Sequence, residues 1–126
     1  MMIKNYPRAE ALCLECKEEI FNPICPECLS KSIMSWAISY PKVALKLNED
    51  IKKYLQKNKK FEGTKCIKCG KNSAYECPYC FTNYVLKKLK KATKDKRIIH
   101  EYLTYFDFDL EHTGYWNEKE MLEQEL

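Results

Sequence analysis

The chain has 126 residues, a net charge of +4 and eight cysteines, with 45% hydrophobic and 32% charged residues. That length suits one small domain or two very small ones, and units of about 50 residues bury too little surface to fold without a metal, disulfides or a partner. The opening MMIKNYPRAEAL has no apolar h-region, and no window approaches 18 apolar residues, so neither a signal peptide nor a membrane span is expected. Cysteines used without export read as metal ligands rather than as disulfides. The expected location is cytoplasmic, or nuclear in a eukaryote.

Charge is segregated along the chain. Residues 1–41 carry −1, Lys42 to Lys71 carry +7, Lys87 to Arg97 carry +6, and Glu101 to Leu126 carry −7. A basic surface for a polyanion is implied, with an acidic end that lies apart from it or folds back on it.

In chain order, residues 1–12 form a lead-in, and Cys13 to Cys28 (CLECKEEIFNPICPEC) is the first cysteine unit. Pro26 suits a first helical turn, where its missing N–H costs nothing, so a helix is expected from about Pro26 to Tyr40. Leu29, Ile33, Trp36 and Ala37 lie along one face of it. Pro41 breaks or kinks it. A second helix carries Ala44, Leu47, Ile51, Tyr54 and Leu55 at helical spacing, with lysines opposite. Residues 57–65, KNKKFEGTK, read as a linker between a first unit (1–56) and a second (66–100).

The second unit, Cys66 to Cys80 (CIKCGKNSAYECPYC), repeats the first at an offset of 52–53 residues. A helix should open at Pro78, with Phe81, Val85, Leu89 and Ala92 as its stripe, and end or bend at Lys94 to Arg97. Residues 101–126 form an acidic, aromatic C-terminal segment. In YFDFDL the alternation of Phe106, Phe108 and Leu110 with Tyr105, Asp107 and Asp109 predicts a strand.

The cysteines carry the chemistry. Each unit holds two C-x-x-C pairs, separated by eight residues in the first copy and seven in the second, and no cysteine is left over. Four thiolates at about 2.3 Å satisfy a tetrahedral Zn²⁺. Two structural zinc ions are therefore expected, on Cys13, Cys16, Cys25 and Cys28 and on Cys66, Cys69, Cys77 and Cys80. Sequential grouping closes the shorter loops, by about 1–1.5 kcal/mol per site. The repeat favours it more firmly, because each copy is complete alone. An iron–sulfur cluster also takes four thiolates but suits this helix-opening layout less well. A redox C-x-x-C would sit beside a βαβ pattern, which is missing.

Knuckle, short hairpin, then a second pair opening a helix resembles a treble-clef finger. The expected fold is thus a small, helix-rich, zinc-stabilised α+β protein of two tandem treble-clef-like units, each followed by helix. The second unit also resembles the first half of a HIT-type zinc finger, through Cys66, Cys69, Gly70, Tyr75, Cys77, Pro78, Cys80 and Tyr84. That family continues with a further cysteine pair and a histidine holding a second, interleaved zinc, where this chain has Val85, Leu86 and Lys87. The resemblance implies an adapter in protein or ribonucleoprotein assembly rather than an enzyme.

Four thiolates leave zinc no open position for water, so no catalytic residues are expected, and no small-molecule substrate. The expected function is binding of RNA or DNA through lysine-rich helix faces, above all Lys87, Lys88, Lys90, Lys91, Lys94, Lys96 and Arg97, in a ribonucleoprotein or transcription setting. Tyr79, Phe81 and Tyr84 nearby either stack on bases or pack around the zinc. The alternative is a protein–protein adapter that uses the helices and the aromatic stretch Tyr102 to Trp116, which either caps the core or docks a partner. Asp107, Asp109, Glu111 and His112 read as a solvated strand edge rather than an acid–base cluster.

Overall fold

The computed structural model describes residues 12–20, 22–108 and 121–124. Among the described residues, three of the four helices of ten residues or more begin at a proline: α1 (Pro26–Ala37), α2 (Pro41–Lys57) and α3 (Pro78–Ala92). In each case the ring occupies the first turn, where the backbone has no intrahelical acceptor to lose. Helix α4 (Lys96–Tyr105) is capped instead by Asp95, whose Oδ1 accepts from the Arg97 N–H at 2.9 Å.

Pro41 separates α1 from α2, with residues 38–40 forming the turn. The second break falls at residues 93–95, at the start of the expected Lys94 to Arg97 boundary.

The apolar stripes meet in one cluster. Ile33 and Ala37 of α1, Leu47 and Ile51 of α2, Phe81, Val85 and Leu89 of α3, and Tyr102 and Leu103 of α4 are all buried in it. Helices α2 and α3 run antiparallel: Tyr54 touches Phe81 and stacks on Tyr84 at 4.0 Å, while the Tyr84 hydroxyl reaches back to the Asp50 carbonyl. Helix α4 is tied to α3 by the buried Tyr102 hydroxyl, which donates to the Thr82 carbonyl at 2.8 Å. It is tied to the α1 region by Glu101, whose Oε1 accepts from Trp36 Nε1 and from Tyr40 Oη, each at 2.7 Å.

The strand expected over YFDFDL does not form across its described residues. Tyr105 ends α4 and Phe106 follows as its cap, buried against Trp36 and Tyr102. Ile99, Tyr102, Leu103 and Phe106 share one helical face, and packing that face outweighs the local two-residue alternation. Asp107 and Phe108 are irregular, and Asp109 and Leu110 lie outside the described residues. Residues 121–124 are helical and return to the same core, with Leu122 buried in it and Glu123 Oε2 lying 3.1 Å from His100 Nε2. The first half of the aromatic stretch therefore caps the core.

Candidate metal centres and the basic helix faces

The two cysteine copies build their surroundings in the same way. In the first, the Cys13 N–H donates to the Glu18 carbonyl and the Lys17 N–H returns to the Cys13 carbonyl, both at 2.9 Å. In the second, Cys66 donates to Lys71 and Gly70 returns to Cys66, again at 2.9 Å. Lys17 and Gly70 occupy the same turn position and both have positive φ, at 65° and 77°. Each turn presents its first sulfur to a following amide, Glu15 N–H to Cys13 Sγ at 3.3 Å and Lys68 N–H to Cys66 Sγ at 3.4 Å.

Neither knuckle, however, closes on the helix of its own copy. The Leu14 N–H donates to the Tyr75 carbonyl and the Cys77 N–H to Cys13 Sγ, at 3.0 and 3.2 Å. The Ile67 N–H donates to the Pro23 carbonyl and the Cys25 N–H to Cys66 Sγ, at 2.8 and 3.3 Å. Position for position, these are the same two bonds with the copies exchanged. The local symmetry is a pseudo-two-fold in which each knuckle docks on the helix start of the other copy.

This overturns the sequential grouping. The sulfurs gather as Cys13, Cys16, Cys77 and Cys80 (centre I) and as Cys25, Cys28, Cys66 and Cys69 (centre II), with the ligand atoms of each set within 4.8 Å of one another. The reason is physical. Loop closure favours the sequential grouping by only about 1–1.5 kcal/mol per site, and the exchanged arrangement carries at each site a backbone hydrogen bond and an N–H···S contact across the copies, together with the packing of α1 on α3. Completeness of each copy was the stronger argument for sequential pairing, yet two equivalent copies are also what an exchange of equivalent parts requires.

The donor sets fit zinc. Tetrahedral bonds of about 2.3 Å imply sulfur separations of about 3.8 Å. Cys16 and Cys77 are 3.9 Å apart, Cys25 and Cys69 3.8 Å, and Cys28 and Cys66 3.9 Å. All eight cysteines are free thiols. Two structural Zn²⁺ ions match this arrangement, one per quartet. The first sulfur of each knuckle is prepared as a thiolate: Cys13 is held well below the usual range by donors from Cys77 and Cys80. Burial opposes ionisation of Cys66, but N–H groups of Cys25, Cys69 and Lys68 bring it down to about 6. In α3 the Cys80 N–H also donates to Cys77 Sγ, at 3.4 Å. The centres differ at their rims, since Cys69 of centre II is exposed whereas no cysteine of centre I is more than half-exposed.

Beside centre I, Glu76 is 3% exposed and accepts from the Tyr54 hydroxyl at 2.7 Å. Burial lifts its carboxyl to about 7, against the pull of that hydrogen bond. Sequence reasoning passed over Glu76. The one available signal was an acid immediately before a ligand cysteine that opens a helix.

Of the basic residues singled out, Lys87, Lys90, Lys91, Lys94, Lys96 and Arg97 are exposed, and Lys88 is half-buried with its Nζ over the Tyr84 ring at 5.5 Å. The antiparallel α2–α3 contact brings a second set beside them. Tyr54, Asp50 and Tyr84 fix the facing edges, and helical phase then puts Lys46 and Lys53 on the side of α2 that borders Lys88 and Lys91. Lys42 lines a groove of about 510 Å³ together with Ala92 and Thr93 at the far end of α3. Helical phase thus turns lysines of two runs, separated in sequence by the second cysteine unit, toward the same α2–α3 edge.

The aromatics near them do not offer base-stacking faces. Phe81 is wholly buried, Tyr84 is covered by Tyr54 and Lys88, and Tyr79 packs against the core. Asp107 is exposed outside any strand, while Asp109, Glu111 and His112 lie outside the described residues.

Together these features define a small helical protein organised by two four-cysteine metal centres. No protein-family model matches the chain, and no curated protein or solved structure matches it either. None of the described helices is long and apolar enough to cross a membrane.

Proposed function

We propose that this is a non-enzymatic zinc protein that binds RNA or DNA through a basic face formed jointly by α2 and α3 and continued by the start of α4. The observation that carries the reading is the antiparallel contact of α2 and α3 through Tyr54, Tyr84 and Asp50, from which helical phase turns Lys46 and Lys53 toward the edge that bears Lys88 and Lys91. Phosphates spaced along a strand are met by cations on two adjacent helices more fully than by one helix face. Thiolates fill all four positions at each centre, which leaves zinc no place for a reacting water. Eight reduced cysteines suit a reducing compartment, cytoplasmic or nuclear. A treble clef closed within one copy is not what the cysteine clusters form, since each combines the knuckle of one copy with the helix start of the other.

Reversing Lys87, Lys88, Lys90 and Lys91 to glutamate tests the reading, because none of these side chains is fully buried. Affinity for generic single- and double-stranded RNA and DNA should fall at least tenfold at low salt, and the slope of log K against log[salt] should become shallower by about 3. Zinc content and helical circular dichroism should stay as in the parent. Binding that is absent from the parent at low salt, or indifferent to salt, would refute the reading and favour a protein-adapter role.

A further inference from the structure

We propose that the two metal centres load as one unit, so that the chain carrying a single zinc is a minor species. Centre I takes Cys13 and Cys16 from the first copy and Cys77 and Cys80 from the second; centre II takes Cys25 and Cys28 from the first and Cys66 and Cys69 from the second. The arrangement is nested. When centre I fills, it joins the outer ends of two short arms, the eight residues between Cys16 and Cys25 and the seven between Cys69 and Cys77. The inner pairs, otherwise linked only through the 37 residues between Cys28 and Cys66, then sit at the ends of those arms. Shorter closure alone raises the effective concentration only a few-fold.

Shared structure supplies more. Cys28 and Cys80 lie in the first turns of α1 and α3, and these helices pack in the same core. Filling either centre therefore orders the helix start that holds half of the other. The ties across the copies work in the same direction. Leu14 to Tyr75 fixes the arm that runs into Cys77, and Ile67 to Pro23 fixes the arm that runs into Cys25. One ion pays the ordering cost for both, which is positive coupling between two sites. Two independent fingers, each closed on its own copy, would show none.

The test counts ions on the intact chain. Metal-free, reduced protein is titrated with zinc alone and its species are resolved by native mass spectrometry. Coupling of about 100-fold leaves about one molecule in ten with a single ion at half-loading, whereas equal independent sites leave about half. Empty and doubly loaded chains should dominate throughout. A statistical mixture, or a build-up of the singly loaded chain, would overturn the proposal. In parallel, Cys77→Ser/Cys80→Ser should weaken zinc binding at the untouched centre II at least tenfold, and parent-like affinity there would also overturn it. The parent titration decides where that variant fails to fold, because it involves no substitution.

Discussion

At the scale of single residues, two glycines are required for unrelated reasons. Gly70 closes the second knuckle with φ +77°, and nothing lies within 4 Å of where its Cβ would be, so only backbone conformation opposes a side chain. Gly63 has an ordinary φ, but a Cβ there would collide with the Ala74 carbonyl, which accepts from the neighbouring Thr64 N–H. Gly70→Ala should cost about 1 kcal/mol. Gly63→Ala should cost more, about 2 kcal/mol or above, because backbone must move. Lys17 sits at the first copy's equivalent of Gly70 with φ 65°, so Lys17→Gly should be neutral or stabilising. Thermal unfolding of the zinc-loaded proteins checks the order; a Lys17→Gly variant as damaged as Gly70→Ala would contradict the equivalence of the two knuckles. Gly70 was readable from sequence as part of a knuckle pattern. Lys17 was not, because its side chain gives no sign of the left-handed turn.

At the scale of elements, the starts of α1 and α3 were legible, whereas the start of α2 at Pro41 and the extent of α4 were not. Pro26 and Pro78 mark first turns as expected, Pro41, read as the break after α1, also opens α2, and the stripes through Leu29, Leu47 and Val85 face the core as their spacing implies. In α4 the local signal misleads, because the partners that turn Phe106 inward, Trp36 and Tyr102, include one from a distant helix. Glu101 is the residue that fastens this helix in place. Glu101→Ala removes a charged acceptor from two donors, Trp36 Nε1 and Tyr40 Oη, and should cost about 1.5–3 kcal/mol. Amide exchange should speed up across Lys96–Tyr105 while zinc content stays at two ions. Unchanged exchange in α4 would mean that burial of Tyr102 and Leu103 alone holds it.

At the scale of the whole molecule, the sequence revealed which residues are ligands but not how they are shared. Each C-x-x-C is a local pattern, whereas the choice of partner pair depends on hydrogen bonds between segments some 60 residues apart, such as that from the Cys77 N–H to Cys13 Sγ. Loop closure does not decide it, since its preference of about 1–1.5 kcal/mol per site is of the same size as the one or two hydrogen bonds that each site makes across the copies. Cadmium substitution reads the pairing directly, because scalar coupling joins each metal nucleus to the β-protons of its own cysteines. One cadmium resonance should correlate with Cys13, Cys16, Cys77 and Cys80, and the other with Cys25, Cys28, Cys66 and Cys69. A resonance joining Cys13 to Cys25 would restore two separate fingers and remove the physical basis for coupled loading. The nested result makes the metals staples between the two copies, so chelation should collapse α1 and α3 together in one transition followed by circular dichroism. Two separate transitions would show that each half keeps a fold of its own, which the exchanged hydrogen bonds of Leu14 and Ile67 leave no means to achieve.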